Sequence, residues 1–307
     1  MERIKQALEL ARQERMKNAA QSGTVLETNG VTPGGSIPGA RNKSVAETHI
    51  EYTETRDISV NVNDLRQKRI MFDQKNAISD AYKILRTQVL QRMKEKNWNT
   101  LGVTSATDGD GKTLTAINLA ISLAREVDHT VLLVDANLRQ PSIQHQLGFH
   151  ADYGLSDYLQ NDVSLNKILI HPQGIPRFVV LPAGNAMDHS SEMLSSPKMS
   201  RLVSELKNRY PSRIVIFDLP ALVTASDALA FSPHVDAMLV VVAEGGTKSE
   251  DLRRAFEMLH GVEVIGTVLN KAYTRDRDYG DVELKEGKIS QFLNRLSKKS
   301  LPRWLKN

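Results

Sequence analysis

The chain has 307 residues, 40 of them Lys or Arg and 36 Asp or Glu, giving a formal net charge of +4. So small a basic excess does not by itself point to nucleic acid, and the length allows about two domains or one larger α/β domain with appendages. The absence of cysteine excludes disulfide frameworks, zinc-thiolate and iron–sulfur sites and cysteine nucleophiles, and it suits a reducing compartment. Hydrophobic residues make up 40% and aromatic residues only 5%, so the core must be mainly aliphatic, as buried parallel strands prefer.

Residues 1–20 keep Ile4, Leu8 and Ala11 at helical spacing among charged neighbours, which predicts a short amphipathic helix and is unlike a signal peptide. Residues 21–60 are dominated by Gly, Ser, Pro, Asn and Thr, as in Thr32-Pro33-Gly34-Gly35-Ser36, and are expected to form a flexible linker because little apolar surface offsets the entropy of ordering. Residues 61–97 regain helical periodicity, with Ile78, Ala81, Leu85 and Val89 on one face. From 98 to 272 short apolar runs alternate with helical patterns. Leu101–Ser105, Val131–Asp135, Phe178–Pro182, Arg213–Asp218, Ala237–Ala243 and Val264–Leu269 read as strands; Leu114–Arg125, Pro197–Arg209 and Ser249–Leu259 read as helices. This pattern predicts an α/β fold with a mostly parallel sheet covered on both faces. The longest apolar run, Ala237–Ala243, is far short of the roughly 20 residues a membrane span needs, so a soluble protein is expected. Residues 273–307 form a basic tail. From Ser290 it carries Arg295, Lys298, Lys299, Arg303, Lys306 and Trp304 without an acid. At ~1 kcal/mol per basic residue near an anionic leaflet, the tail could supply up to ~5 kcal/mol of peripheral membrane attraction.

The segment Thr104-Ser105-Ala106-Thr107-Asp108-Gly109-Asp110-Gly111-Lys112-Thr113 follows a predicted strand and opens a predicted helix. Ala106-x4-Gly111-Lys112-Thr113 matches the P-loop pattern with Ala in place of its first Gly. Glycines let backbone N–H groups curl around phosphate oxygens, and the helix start adds its partial positive charge. Thr107, Asp108, Gly109, Asp110, Gly111, Lys112, Thr113 and Leu114 are therefore the candidate nucleotide-binding residues. Lys112 is placed to reach the β/γ-phosphates and Thr113 to ligate Mg²⁺. The dinucleotide fingerprint fails, because Leu114 stands where its third glycine is needed. Two predicted strands end in an acid, Asp135 and Asp218. In a parallel sheet those ends share one edge with the phosphate loop, where a carboxylate can hold Mg²⁺ or accept a proton from an attacking hydroxyl.

Together these residues resemble the bacterial tyrosine autokinases (BY-kinases) of capsule and exopolysaccharide loci, in their stand-alone form. That family pairs a Walker A of this Ala-x4-Gly-Lys-Thr type with a hydrophobic-Asp-x-Asp-x-Arg segment, here Val131–Arg139, and a hydrophobic-Asp-x-Pro-Pro segment, here Ile214–Ala221. Further matches are Gly154–Leu159, Leu181–Gly184, Glu192–Ser196 and Ser226-Asp227-Ala228. The resemblance implies a P-loop NTPase-like kinase domain over 98–272, with ATP and Mg²⁺ as cofactors. It implies catalytic roles for Lys112, Asp135 and Asp218, metal contacts from Thr113, Asp135 and Asp218, and an adenine contact from Asn270. Asp80, Lys83 and Arg86 resemble the Glu-x-x-Arg-x-x-Arg helix through which such kinases form ring-like homo-oligomers, so 61–97 is expected to carry the ring-assembly motif. Tyr273 and Tyr279 are the autophosphorylation candidates. The implied partner is a membrane-bound polysaccharide chain-length determinant, and the implied location is the cytoplasm, recruited to the inner face of the cell membrane. Asn137 stands where the family has its second acid, and Ala221 where it has its second Pro. Asn137 and the sparse tyrosines also admit a catalytically weak nucleotide-binding adaptor. A partitioning or division-site ATPase fits less well, because Thr107 replaces that class's signature Lys and no DNA-reading element is recognisable.

Overall fold

The computed structural model describes residues 55–72, 77–209 and 212–272. The helix expected over 1–20, most of the expected linker, and the tail with Tyr273 and Tyr279 lie outside the described residues. The strands are β1 (Arg56–Ile58), β2 (Thr100–Ser105), β3 (Thr130–Asp135), β4 (Ile170–Pro172), β5 (Phe178–Leu181), β6 (Arg213–Asp218), β7 (Ala237–Ala243) and β8 (Val264–Asn270). They form one sheet in the order β1-β4-β5-β3-β6-β2-β7-β8. Every neighbouring pair is parallel except β4 with β5.

The central strands are continuous apolar runs because both faces are covered, and their side chains divide with a period of two. Val131, Leu133, Ile214 and Ile216 enter one core with Ile117, Ile121 and Ala124 of the helix Lys112–Ala124. Leu132, Val134, Val215 and Phe217 enter the other, with Leu202 and Leu206 of the helix Pro197–Asn208 and Leu252 of the helix Ser249–Met258. Helix Pro197–Asn208 starts as its sequence dictates: the Ser196 hydroxyl accepts from Met199 N at 3.2 Å, and Pro197 fills a first-turn position that needs no N–H.

Two expectations change. The linker expected over 21–60 stops short of its end, since Arg56–Ile58 joins the sheet in parallel register with β4. Its Arg-Asp-Ile sequence shows no alternation, because at the sheet edge backbone pairing alone holds it. The single helical segment expected over 61–97 is two helices, Val62–Gln67 and Ala77–Lys96. Asn61 caps the first by accepting from Asn63 N at 3.0 Å. Leu65, Ile70 and Met71 are buried, and Met71 N donates to Asn118 Oδ1 at 2.9 Å, which fastens this segment to the helix behind the phosphate loop.

Candidate active site

Strands β3, β6 and β2 are consecutive in the sheet, which brings the two strand-end acids and the phosphate loop to one rim. Asp135 and Asp218 are register partners on adjacent strands, and both side chains are fully buried. Asp135 Oδ2 accepts from the backbone N–H groups of Ser142 and Ile143, each at 3.0 Å, and Oδ1 accepts from Asn137 N at 3.2 Å. Asp218 Oδ2 accepts from the Thr113 hydroxyl at 2.7 Å. Its Oδ1 has no hydrogen-bond partner. Burial raises the pKa of Asp135 against the pull of its three N–H donors and of Lys112. Asp218 is raised by burial and by the charge of Asp135, against Thr113 and Lys112.

The phosphate loop turns through Gly109 and Gly111 at φ values of 82° and 94°, in the left-handed region that favours glycine. A Cβ on Gly111 would come within 2.1 Å of Asn270 Nδ2. Lys112 opens the following helix and lies 3.7 Å from Asp108. Asp110 is turned into the protein: its carboxylate accepts from Thr107 N at 3.0 Å and from the Thr247 hydroxyl at 2.8 Å. Asn270 Nδ2 donates to Asp110 O at 2.8 Å, and Lys271 Nζ to Gly109 O at 2.7 Å. The loop is thus held from the β7 and β8 sides. Of the residues holding it, sequence reasoning missed Thr247 and Lys271; the Gly245-Gly246-Thr247 turn directly after a buried strand was the available signal.

On the other flank of Asp135, Asn137 Oδ1 accepts from Gln140 N at 3.3 Å, so the residue at the family's second acidic position caps its own turn. Arg139 Nε donates to Asp227 Oδ2 at 2.9 Å. Met187 N donates to Leu138 O at 2.8 Å, joining this loop to the wall of a cavity of about 300 Å³ lined by Asp157, Asn185, Met187, Asp188, His189 and Met193.

The expected oligomerisation residues stand away from this rim, on the helix Ala77–Lys96. Lys83 Nζ pairs with Asp80 Oδ1 at 2.8 Å within that helix. Arg86 donates to Ser122 O at 3.1 Å and pairs with Glu126 at 2.7 Å, so its guanidinium is engaged by its own chain. Among the described residues no group of three or more His, Cys, Asp or Glu could hold a metal, and no helix is long and apolar enough to cross a membrane.

A glycine-turned loop between a strand and a helix, carrying a lysine and a hydroxyl and facing two buried strand-end acids on a mostly parallel sheet, defines a P-loop NTPase fold. No family model matches the chain. It is 29% identical to the tyrosine-protein kinase YwqD of Bacillus subtilis over 222 residues, 68% of this chain and 88% of the relative. It is 31% identical to the tyrosine-protein kinase etk of Escherichia coli over 198 residues, 64% of this chain and 27% of the relative. The solved kinase domain of E. coli ETK superposes with a TM-score of 0.62 at 27% identity, covering 74% of this chain and 93% of that domain. The succinoglycan biosynthesis transport protein ExoP of Rhizobium meliloti is 29% identical over 255 residues, 77% of this chain and 31% of the relative. The chain is thus similar to several bacterial tyrosine-protein kinases and to a solved kinase domain of that kind. It spans most of YwqD but less than a third of etk and ExoP.

Proposed function

We propose that the chain is an ATP- and Mg²⁺-dependent protein-tyrosine autokinase that phosphorylates Tyr273 and Tyr279 on a neighbouring copy and thereby regulates exopolysaccharide or capsule polymerisation and export. The observation that carries this reading is the register pairing of Asp135 with Asp218 beside the hydroxyl of Thr113. The residues fit the cation: Asp218 Oδ1 is a buried carboxylate oxygen without a partner, and Thr113 already points its hydroxyl at the same carboxylate. Asp218 and Thr113 would hold Mg²⁺, with substrate phosphates completing its shell, as this ion prefers over an all-protein cage. When bound, the ion supplies charge neutralisation on the β- and γ-oxygens. Lys112 and the loop N–H groups orient the triphosphate. The tyrosine oxygen attacks the γ-phosphorus as the bond to the β-bridging oxygen breaks and ADP departs, and Asp135 takes the phenolic proton. Catalysis on this reading is positioning and electrostatics.

The name of one relative, the succinoglycan biosynthesis transport protein ExoP, supports a polysaccharide context; to this we add, as part of the same proposal, a membrane-bound chain-length determinant as partner, a location at the inner face of the membrane, and a ring-like homo-oligomer. A second reading, a catalytically weak nucleotide-binding adaptor of the same machinery, is favoured by Asn137, which removes one carboxylate beside Asp135. Phosphosite mapping by mass spectrometry after incubation with ATP and Mg²⁺, on the parent and on Lys112→Met, tests both. Phosphate on Tyr273 or Tyr279 in the parent and none in the variant supports the kinase. Nucleotide binding without phosphotyrosine supports the adaptor. Equal phosphotyrosine in both proteins overturns the assignment of Lys112.

A further inference from the structure

Arg139 is a charged residue on the loop after Asp135 to which the transfer reading gives no task. It lies on the loop leaving Asp135, between Asn137, whose N–H returns to Asp135 Oδ1, and Ser142 and Ile143, whose N–H groups return to Oδ2. The loop is curled around that carboxylate, and Arg139 stands within it, four residues after Asp135. Nε of Arg139 donates to Asp227, which is completely buried. The other oxygen of Asp227 accepts from the Ser190 hydroxyl. A guanidinium meets a carboxylate most strongly when two parallel N–H groups take both oxygens. Ser190 donates to the second oxygen here, and of the guanidinium only Nε is engaged with the carboxylate. Nη1 and Nη2 have no partner among the described residues, and the side chain is 45% exposed.

Burying an acid to hold a guanidinium whose fork faces solvent is poor economy for stability alone. It is an effective way to aim a phosphate-binding group, because the fork matches phosphate oxygens two at a time. The charge on the loop agrees with this. From 135 to 142 the charged residues are Asp135 and Arg139, and Asn137 adds no second acid to the loop.

We propose that Arg139, oriented by Asp227 and Ser190, is a phosphoryl-binding residue that takes the non-bridging oxygens of a phosphate group on the Asp135 side of the site. The proposal rests on the phosphoryl-transfer reading above. The phosphate has two sources, the γ-phosphoryl of the nucleotide and the phosphotyrosine formed from it.

The test is calorimetric titration of the purified full chain in Mg²⁺ with three probes: ADP, the non-hydrolysable ATP analogue AMP-PNP, and phenyl phosphate in the presence of ADP. The variants are Arg139→Gln and the double variant Arg139→Gln/Asp227→Asn; the double leaves no unpaired buried charge and so guards against a folding defect. ADP affinity is expected to stay at the parent value in the double variant. A loss of about 10- to 100-fold, the amount a charged hydrogen-bonded pair carries, is expected for one of the other probes. Loss for AMP-PNP assigns the nucleotide as source, and loss for phenyl phosphate assigns the product. Arg139→Lys, which keeps the charge without the fork, is expected to recover only part of the affinity. Affinities for all three probes within twofold of the parent in the double variant overturn the proposal. Failure of the parent itself to bind ADP overturns the nucleotide reading, and this proposal with it.

Discussion

Replacing Asp218 with Asn is expected to stabilise the protein in the absence of nucleotide and metal. Two carboxylates lie in register on adjacent, fully buried strand ends, and adjacent strands run about 4.8 Å apart. Burial and the charge of Asp135 push Asp218 up to about 7, while burial pushes Asp135 up to about 6. Both folded-state values lie above the unfolded value of about 3.9. The folded chain therefore binds more protons than the unfolded chain between those limits. The stability linked to these groups is complete below about pH 4 and is lost as the pH rises through about 7. A rise of about three units for Asp218 corresponds to roughly 4 kcal/mol at 1.36 kcal/mol per unit. Because the two acids share their repulsion, an advantage of about 2–4 kcal/mol at pH 8 is expected for Asp218→Asn. At 2–4 °C per kcal/mol for a domain of this size, that is roughly 5–15 °C in melting temperature. The amide oxygen can still accept from Thr113. Urea denaturation in EDTA, followed by circular dichroism at pH 4.5, 6 and 8, measures this directly. The gain should be largest at pH 8 and shrink below about 1 kcal/mol at pH 4.5. A variant no more stable than the parent at pH 8, or one whose gain is the same at every pH, would refute the reasoning that the two acids are held together at a cost that ligand binding relieves.

Gly111→Ala should weaken Mg²⁺–nucleotide binding at least tenfold by calorimetry, since its Cβ meets Asn270 at 2.1 Å and its backbone sits at φ 94°. Normal affinity in that variant would mean that the loop relaxes without changing the cradle. Asp236→Ala should cost about 3 kcal/mol of stability without changing nucleotide affinity. Asp236 lies just before β7, away from the phosphate-loop rim, accepting from Asn99 N, Thr100 N and the Thr100 hydroxyl and pairing with Lys207. Burial raises its pKa, but Lys207 and the donors of Asn99 and Thr100 outweigh burial and hold it below the usual carboxylate range. Its stabilisation is therefore present above the unfolded value and is lost as pH falls through the folded one. Urea midpoints that differ between parent and variant at pH 7 and converge under strong acid would bear this out.

The legible part of the molecule is the part whose requirements are local. The strand ending in Asp135 and the strand ending in Asp218 could be read because a strand buried on both faces needs an unbroken apolar run, and the phosphate loop because its backbone demands glycines at set positions. Edge elements such as Arg56–Ile58 carry no such demand, since pairing with one neighbour satisfies them whatever their side chains. The same distinction separates the readable and unreadable halves of the site. Lys112, Thr113 and the two acids announce themselves by spacing. The contacts that aim them join residues distant in sequence: Thr247 meets Asp110 across 137 positions, and Arg139 meets Asp227 across 88. Asp227 was visible as Ser226-Asp227-Ala228, but a buried acid in sequence looks like any first-turn acid of a helix. Only the fold shows that it faces a guanidinium from the loop of Asp135, with a serine hydroxyl on its remaining oxygen. Chemistry that depends on a residue's own atoms is therefore written in the motif. The orientation of those atoms is written in partners that the sheet brings to one rim.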